Sequence, residues 1–228
     1  TNTYMPLSRF EYCVKEACGH PDIVGLAVST RPDCIHESYL EVLREAQGKY
    51  GTNITVELGL QSVNPHTLLK IGRCHTVAEF IDAALQIGRY HFDLCTHIIA
   101  DLPWDDRIDL EEAAKLVSVL PVTEIKIHSL YIIKGTKLAK MYEKGDIKLL
   151  PPEEYAERVV LILSMLRPDI VVQRIVGRAS ANTLSVNGGR PWWEVKEYIE
   201  KLMRNRHIQQ GSACNYLHGA AVRRFLHE

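Results

Sequence analysis

Between residues 7 and 205, strand-like and helix-like segments take turns five times, and this alternation limits the chain more than any other feature. Strands joined by crossover helices run parallel, so the expected class is α/β, as a doubly wound sheet or a barrel. Helical stripes are read at Leu7, Phe10, Val14 and Ala17, then at Leu40, Leu43 and Ala46. Three more follow, at Leu110, Ala113, Leu116 and Val117, at Tyr155, Val159, Ile162, Leu163 and Leu166, and at Val195, Tyr198, Ile199, Leu202 and Met203. Pro6 suits the first helix start, the second helix is expected to end near Gly48, and Gly88 is read as closing the third. Thr76 and Glu79 have the spacing of a capping box, opening a helix with Val77, Phe80, Ile81, Ala84 and Leu85 inward. Strands are expected at 23–30, 54–61, 93–103 with its exit loop, 124–133 and in DIVVQRIVG.

The strand faces decide between sheet and barrel. Thr55, Glu57, Gly59 and Gln61 share one face, and Val56, Leu58 and Leu60 the other. Asp93, Cys95, His97 and Ile99 oppose Leu94, Thr96, Ile98 and Ala100, while Lys126 and His128 oppose Ile125 and Ile127. Arg174 shares a face with Val172 and Val176. A parallel sheet covered by helices on both sides reads apolar on both faces. One face here repeatedly carries polar groups, which suits a barrel whose outside meets helices and whose inside lines a site near the strand C-termini.

Composition excludes some classes. A chain of 228 residues with 46% hydrophobic content buries a substantial core, and a net charge of −1 gives no general pull toward nucleic acid or anionic lipid. No apolar run approaches the roughly 20 residues of a membrane span. The six cysteines show no repeat spacing, which points to free thiols in a reducing, cytoplasmic compartment. Cys13 and Cys18 lie about 140° apart on a helix, a poor metal clip. Walker, G-x-G-x-x-G, H-E-x-x-H and G-x-S-x-G motifs are absent.

The series TNTYMPL, VGLAVSTRPDC, VELGLQSVNPHTLLKIGRCHT, THIIADLPWD and KIHSLYIIKGTKLAKMY resembles the radical SAM superfamily. Within it, the series is similar to a bacterial group of uncharacterised proteins related to the elongator catalytic subunit and to oxygen-independent coproporphyrinogen oxidases. The resemblance runs in order from residue 1 to about 175 and more loosely to about 204. It implies a partial (β/α)6 TIM-like barrel of radical SAM type over residues 1–178, lacking the first strand and most of the second, with a C-terminal helical extension over 179–228. It also implies a [4Fe-4S] cluster held by a C-x-x-x-C-x-x-C motif, S-adenosylmethionine (SAM), and a 5′-deoxyadenosyl radical that takes hydrogen from substrate. The motif is not in this sequence, so its cysteines are expected upstream of Thr1 and the fragment alone is expected inactive, since three thiolates hold such a cluster.

Carried over by position, the resemblance assigns Glu57 to the SAM ribose hydroxyls, Gln61 and Ser62 to the same strand end, and Asn2 and Thr3 to the methionine amino group. Thr30 and Arg31 fall at the next strand tip, with Arg31 paired to the SAM carboxylate or locally to Asp33. Ile99 falls near adenine, with Tyr131 to Ile133 by the same ring, and His97 and His128 flank the substrate side as candidate catalytic groups. Two segments depart from the family: GLPGE is here ADLPWDD, and a T-G-D segment is IVGRAS, with Arg178 in place of the acid. Partners implied are SAM, an electron donor for the cluster, and a substrate that is a small molecule or RNA.

Other readings stand beside this one. Glu57 serves equally as a structural carboxylate paired with Arg31 or Lys126, and Lys126 as a simple ion-pair partner. Glu57, His97 and His128 would also suit acid–base catalysis without iron, and kinship to elongator suggests an RNA-associated module without catalysis. Trp192 and Trp193 read as a hydrophobic plug over a helix end, or as a surface for stacking a base.

Overall fold

The computed structural model describes residues 2–178 and 182–225. Five strands form one sheet in sequential order: β1 (Gly25–Thr30), β2 (Asn53–Gln61), β3 (Asp93–Ile99), β4 (Glu124–His128) and β6 (Val171–Arg174). The β1–β2 and β2–β3 ladders are parallel. Helix α1 (Leu7–Cys18) precedes the strands, and α2 (Glu37–Tyr50), α3 (Pro65–Lys70), α4 (Val77–Arg89), α5 (Arg107–Val119), α7 (Pro152–Met165) and α8 (Trp192–Asn205) lie between or after them. The α/β class read from the alternation is therefore the class observed.

The chain divides into two compact units that interleave in sequence. The first comprises Thr1–Ile98, Leu120–Lys126 and Val171–Gln173; the second comprises Ile99–Val119, Ile127–Ile170 and Arg174–Glu228. In the first, Ile54, Val56, Leu58 and Leu60 of β2 and Leu94 and Ile98 of β3 are buried with Leu40 and Leu43 of α2 and Phe80, Ala83, Ala84 and Ile87 of α4. The odd-numbered residues of β2 from Asn53 to Glu57 stay exposed or half-buried, so the period-2 pattern separates a helix-covered face from an open one. In the second unit, α5 packs on α7 and α7 on α8, burying Leu110, Ala114, Val117, Tyr155, Val159, Ile162 and Ile199. Each Leu, Val, Ile or Phe among these contributes about 1.5–3 kcal/mol through lost contact with water, and each alanine less.

Helix ends follow local chemistry. The Thr76–Glu79 capping box forms as read, each side chain serving the other's backbone N–H. α2 ends at Tyr50, two residues beyond Gly48, and Gly51 closes it with a left-handed φ of 68°. Gly88 lies within α4 and is there for close approach, since a Cβ would press on the Pro121 ring at 2.6 Å. Leu85 is 46% exposed, and Ala83 takes the inward place assigned to it, because the buried stripe follows Phe80, Ala83, Ala84 and Ile87.

The run expected as one strand over 124–133 is two elements. β4 stops at His128, and β5 (Ile132–Ile133) forms an antiparallel ribbon with β7 (Thr183–Ser185). The helix α6 (Lys137–Glu143), capped by the Thr136 hydroxyl on Ala139 N–H, follows that ribbon and was not foreseen. Trp192 and Trp193 begin α8, with the Arg178 guanidinium 4.6 Å from the Trp192 ring centre. Trp193 is 55% exposed, so the pair is not the plug expected. Of the IVGRAS segment, Ala179 and Ser180 lie outside the described residues.

The corrected α4 face is testable. Phe80→Ala is expected to lower unfolding free energy by about 3–5 kcal/mol, and Leu85→Ala by less than about 1 kcal/mol. Urea titrations of both variants check the contrast; equal losses would return Leu85 to the core.

Candidate functional site

The open face of the first unit gathers polar side chains in layers because the strands pair in parallel register. Ser29 is opposite Glu57, Glu57 is opposite Cys95, and Gly59 is opposite His97. Near the strand N-termini, Asn53 donates to Asp93 at 2.9 Å, and Gln173 donates to Glu124. One layer further along, the Glu57 carboxylate is held from both sides. Lys126 Nζ donates to Oε1, Ser29 Oγ donates to Oε2 at 2.6 Å, and His97 Nε2 stands 3.5 Å from Oε2. Both ends of the Lys126–Glu57 pair are largely buried, with side chains 16% and 14% exposed.

Burial raises the Glu57 carboxyl, but the bonds from Lys126 and Ser29 and the charges of Lys126 and His97 outweigh it, so the group lies below the usual carboxylate range. The structural alternative of a Glu57–Lys126 pair is thus present, and the Glu57–Arg31 alternative is not. Arg31 binds Asp33 through Nε at 2.9 Å and Nη2 at 2.6 Å and stacks 5.3 Å from the Tyr4 ring centre. Of the two partners considered for Arg31, Asp33 holds it.

Arg73 was missed in the sequence. Its Nη2 donates weakly to Gly59 O at 3.3 Å, its Nε is buried without a partner, and it forms no ion pair among the described residues. Burial, then the nearby Arg31 charge, lowers its pKa from the ordinary guanidinium value. A desolvated cation without an anion is costly and marks a place for one. A Cβ at Gly59 would run into both the Gln61 amide and the Arg73 guanidinium, so glycine here makes room for the two side chains. The ladder shifts register between Gly59 and Gln61, and Gln61 takes a left-handed φ of 69°, backbone strain of a kind that collects at binding sites. Nothing in the sequence marks Arg73, because its importance lies in the anion it lacks.

The other expected residues are placed as follows. Asn2 N–H donates to Ser29 O at 2.9 Å beside β1, and the buried Thr3 and Thr30 hydroxyls bond each other. Ser62 is buried and accepts Asn64 N–H at 3.0 Å, a bond that shapes the turn into α3. Those residues belong to the first unit, with Glu57, Gln61 and His97. Ile99, His128, Tyr131 and Ile133 belong to the second. There Ile99 ends β3, the His128 carbonyl accepts Ala100 N–H, the Tyr131 ring packs on Gly177, and Ile133 sits in the β5–β7 ribbon.

The residues fit SAM and do not fit a cluster. A carboxylate on an open face suits a diol, and an uncompensated guanidinium suits a carboxylate. The six cysteines are free thiols and supply no triad for iron and sulfide. Glu57, Cys95 and His97 do offer ligand atoms within 4.8 Å of one another. An ammonium already sits on Glu57, however, and burial pushes the Cys95 thiol up to about 12, which sets both against a bound cation.

In the second unit, Asp101 is 5% exposed and accepts Leu130 N–H at 2.6 Å. Burial raises its carboxyl to about 7, against smaller lowering effects from that bond and from Arg158. A carboxyl raised on folding keeps its proton in the native state at pH values where the unfolded chain has lost it. Stability is therefore full below the unfolded value near 4 and falls as pH rises toward 7. Asp101→Asn is expected to flatten that decline, so that the variant gains on the parent between pH 5 and pH 8 in urea midpoints. Parallel pH profiles would show that Asp101 does not titrate in this window.

Comparison with known proteins follows from this geometry. Residues 122–205 match the Radical_SAM C-terminal domain. The chain is 34% identical over 215 residues to the uncharacterized protein YtqA of Bacillus subtilis, covering 92% of this chain and 65% of that protein. It is 30% identical over 223 residues to protein YhcC of Escherichia coli K12, covering 93% of this chain and 69% of that protein. The chain thus spans about two thirds of the length of these relatives. The solved structure of Elp3 from the archaeon Methanocaldococcus infernus, with an N-terminal deletion, superposes with a TM-score of 0.75 at 19% identity, covering 92% of this chain and 53% of that one. That likeness shows a shared fold, and the identity to YhcC over most of both chains shows that this chain belongs to the radical SAM family, in the group that holds YtqA and YhcC.

Proposed function

We propose that this chain is the SAM-binding portion of a radical SAM enzyme. The observation that carries the reading is the pairing of opposites on one unit: a carboxylate fixed on the open sheet face, and a guanidinium near the end of the same strand with no anion of its own. SAM carries the complementary groups, a ribose diol and an α-carboxylate. Glu57 accepts the two ribose hydroxyls through lone pairs that Lys126 and Ser29 leave open. Arg73, in place of Arg31, pairs with the carboxylate, because Asp33 already neutralises Arg31. Gln61 stands at the strained strand end with its amide, like the Arg73 guanidinium, beside Gly59, while Asn2, Thr3, Thr30 and Ser62 shape the walls. The chemistry that the cofactor supplies when bound beside a [4Fe-4S] cluster is a 5′-deoxyadenosyl radical for hydrogen abstraction. We retain as proposals the barrel over residues 1–178 with its extension over 179–228, the need for cluster cysteines from outside this chain, a cytoplasmic setting, a dedicated electron donor, and adenine near Ile99, Tyr131 and Ile133.

The iron-free alternative asks Glu57 or a histidine to move protons. A carboxyl held below its ordinary range is a weak base at neutral pH, which favours a binding role for Glu57. The alternative of an RNA substrate gains nothing from the net charge of −1.

Isothermal titration of SAM into the full-length natural protein, kept anaerobic and unreduced, tests the reading. Glu57→Ala and Arg73→Ala are each expected to weaken binding by roughly ten- to a hundredfold, the range of a lost charge-assisted hydrogen bond. Arg31→Ala is expected to weaken it by less than about fivefold, since Asp33 already neutralises the Arg31 charge. Unchanged affinity in Glu57→Ala would dismiss the ribose role, and the reverse order of Arg31 and Arg73 would exchange theirs.

A further inference from the structure

We infer that Lys126 is the positioning residue of this site: it aims Glu57 at a neutral diol and keeps that carboxylate ionised, without touching the ligand itself. The inference rests on the reading of Glu57 as the ribose partner and adds what governs that residue.

The sheet geometry makes the contact unusual. Lys126 is on β4 and Glu57 on β2, with β3 between them, so the two side chains meet across a full strand. Neighbouring strands lie about 4.8 Å apart, and the pair therefore bridges roughly 10 Å. Only two extended side chains reach that far, and this fixes the carboxylate's direction. Cys95 lies on the strand they cross, paired with Glu57 in register and fully buried. From the other flank, Ser29 donates to the second carboxylate oxygen. Held at both oxygens, Glu57 has little rotamer freedom left to lose when a ligand arrives.

Charge sets what that ligand is. The groups facing Glu57 are Ser29 from β1, Cys95 and His97 from β3, and Lys126 from β4, with Glu124 a more distant negative neighbour. Lys126 makes the pair neutral, so the site favours an uncharged hydrogen-bond donor over a metal ion or an amine. A ribose diol meets that requirement. Without the ammonium, burial and Glu124 both act to protonate Glu57, and His97 is the one remaining cation beside it when it carries its proton. A protonated carboxyl spends one oxygen as a donor and accepts the diol poorly.

The sign follows. In the parent protein Glu57 stays ionised throughout the neutral range, so SAM affinity is flat from pH 6 to pH 8.5. In Lys126→Gln, which keeps a donor but loses the charge, Glu57 protonates as pH falls, and affinity falls with it. The test is SAM binding to the full-length anaerobic protein at pH 6, 7 and 8.5, measured by titration calorimetry without reductant. Lys126→Gln is expected to bind within about threefold of the parent at pH 8.5 and to weaken relative to it with each step down in pH, reaching about tenfold once the pH lies one unit below the pKa of the carboxyl that has lost its ammonium. Lys126→Arg is expected to restore the flat profile. Glu57→Gln, which cannot titrate, is expected to be weak at every pH. If Glu57→Gln binds as the parent does, the ribose reading itself fails. If Glu57→Gln is weak and Lys126→Gln is flat and parent-like, or uniformly weak at all three pH values, the ribose reading stands and the positioning role of Lys126 is overturned.

Discussion

The parallel register of β1, β2 and β3 is the constraint on which the site depends. It sets Ser29 beside Glu57 and Glu57 beside Cys95, all on the face that helices leave open. A slip of one residue in any strand would turn its polar set into the helix-covered core and bring Val56, Leu58 and Leu60 out. The buried face therefore fixes the polar face. Ile54, Val56, Leu58 and Leu60, each at most 1% exposed, hold the register that aims Glu57.

Electrostatics then distinguishes residues that look alike in sequence. Arg31 and Arg73 belong to the same unit, yet Asp33 binds one bidentately while the other has a single long bond to a carbonyl. A neutralised guanidinium gains little from an incoming carboxylate, and an uncompensated one gains much. The same logic separates Glu57 from Asp101. Asp101 is buried deeply enough for desolvation to outweigh its backbone bond and Arg158, whereas Glu57 is only half-buried and Lys126 and Ser29 outweigh the smaller cost.

What was legible in the sequence was whatever repeats. Period-2 alternation gave the faces of β2 and β3, and the Thr76–Glu79 spacing gave the start of α4. The errors came where a local cue met a tertiary demand. Gly88 looked like a helix end because glycine is a poor helix former, but it is required by the nearby Pro121 ring. The apolar run from Ile125 to Ile133 carries no punctuation that separates β4 from β5, since the break at His128 is made by pairing with β7, far along the chain. Arg73 carried no signal of its own either. Its importance lies in what it lacks, and that emerges only once Asp33 has chosen Arg31.

Asp101 shows how a departure from the family pattern changes a loop physically. The resemblance read from the sequence implies a flexible glycine where this chain has a carboxyl, buried and bonded to Leu130 N–H. Beside it, the Ala100 N–H donates to the His128 carbonyl at 3.0 Å, and Arg158 donates to the Ala100 and Asp105 carbonyls at 3.3 and 3.0 Å. A glycine in this place would leave Leu130 N–H without its acceptor and the loop after β3 with one tie fewer to the segment after β4. The aspartate thus exchanges backbone freedom for a fixed path, at the cost of desolvating a carboxyl.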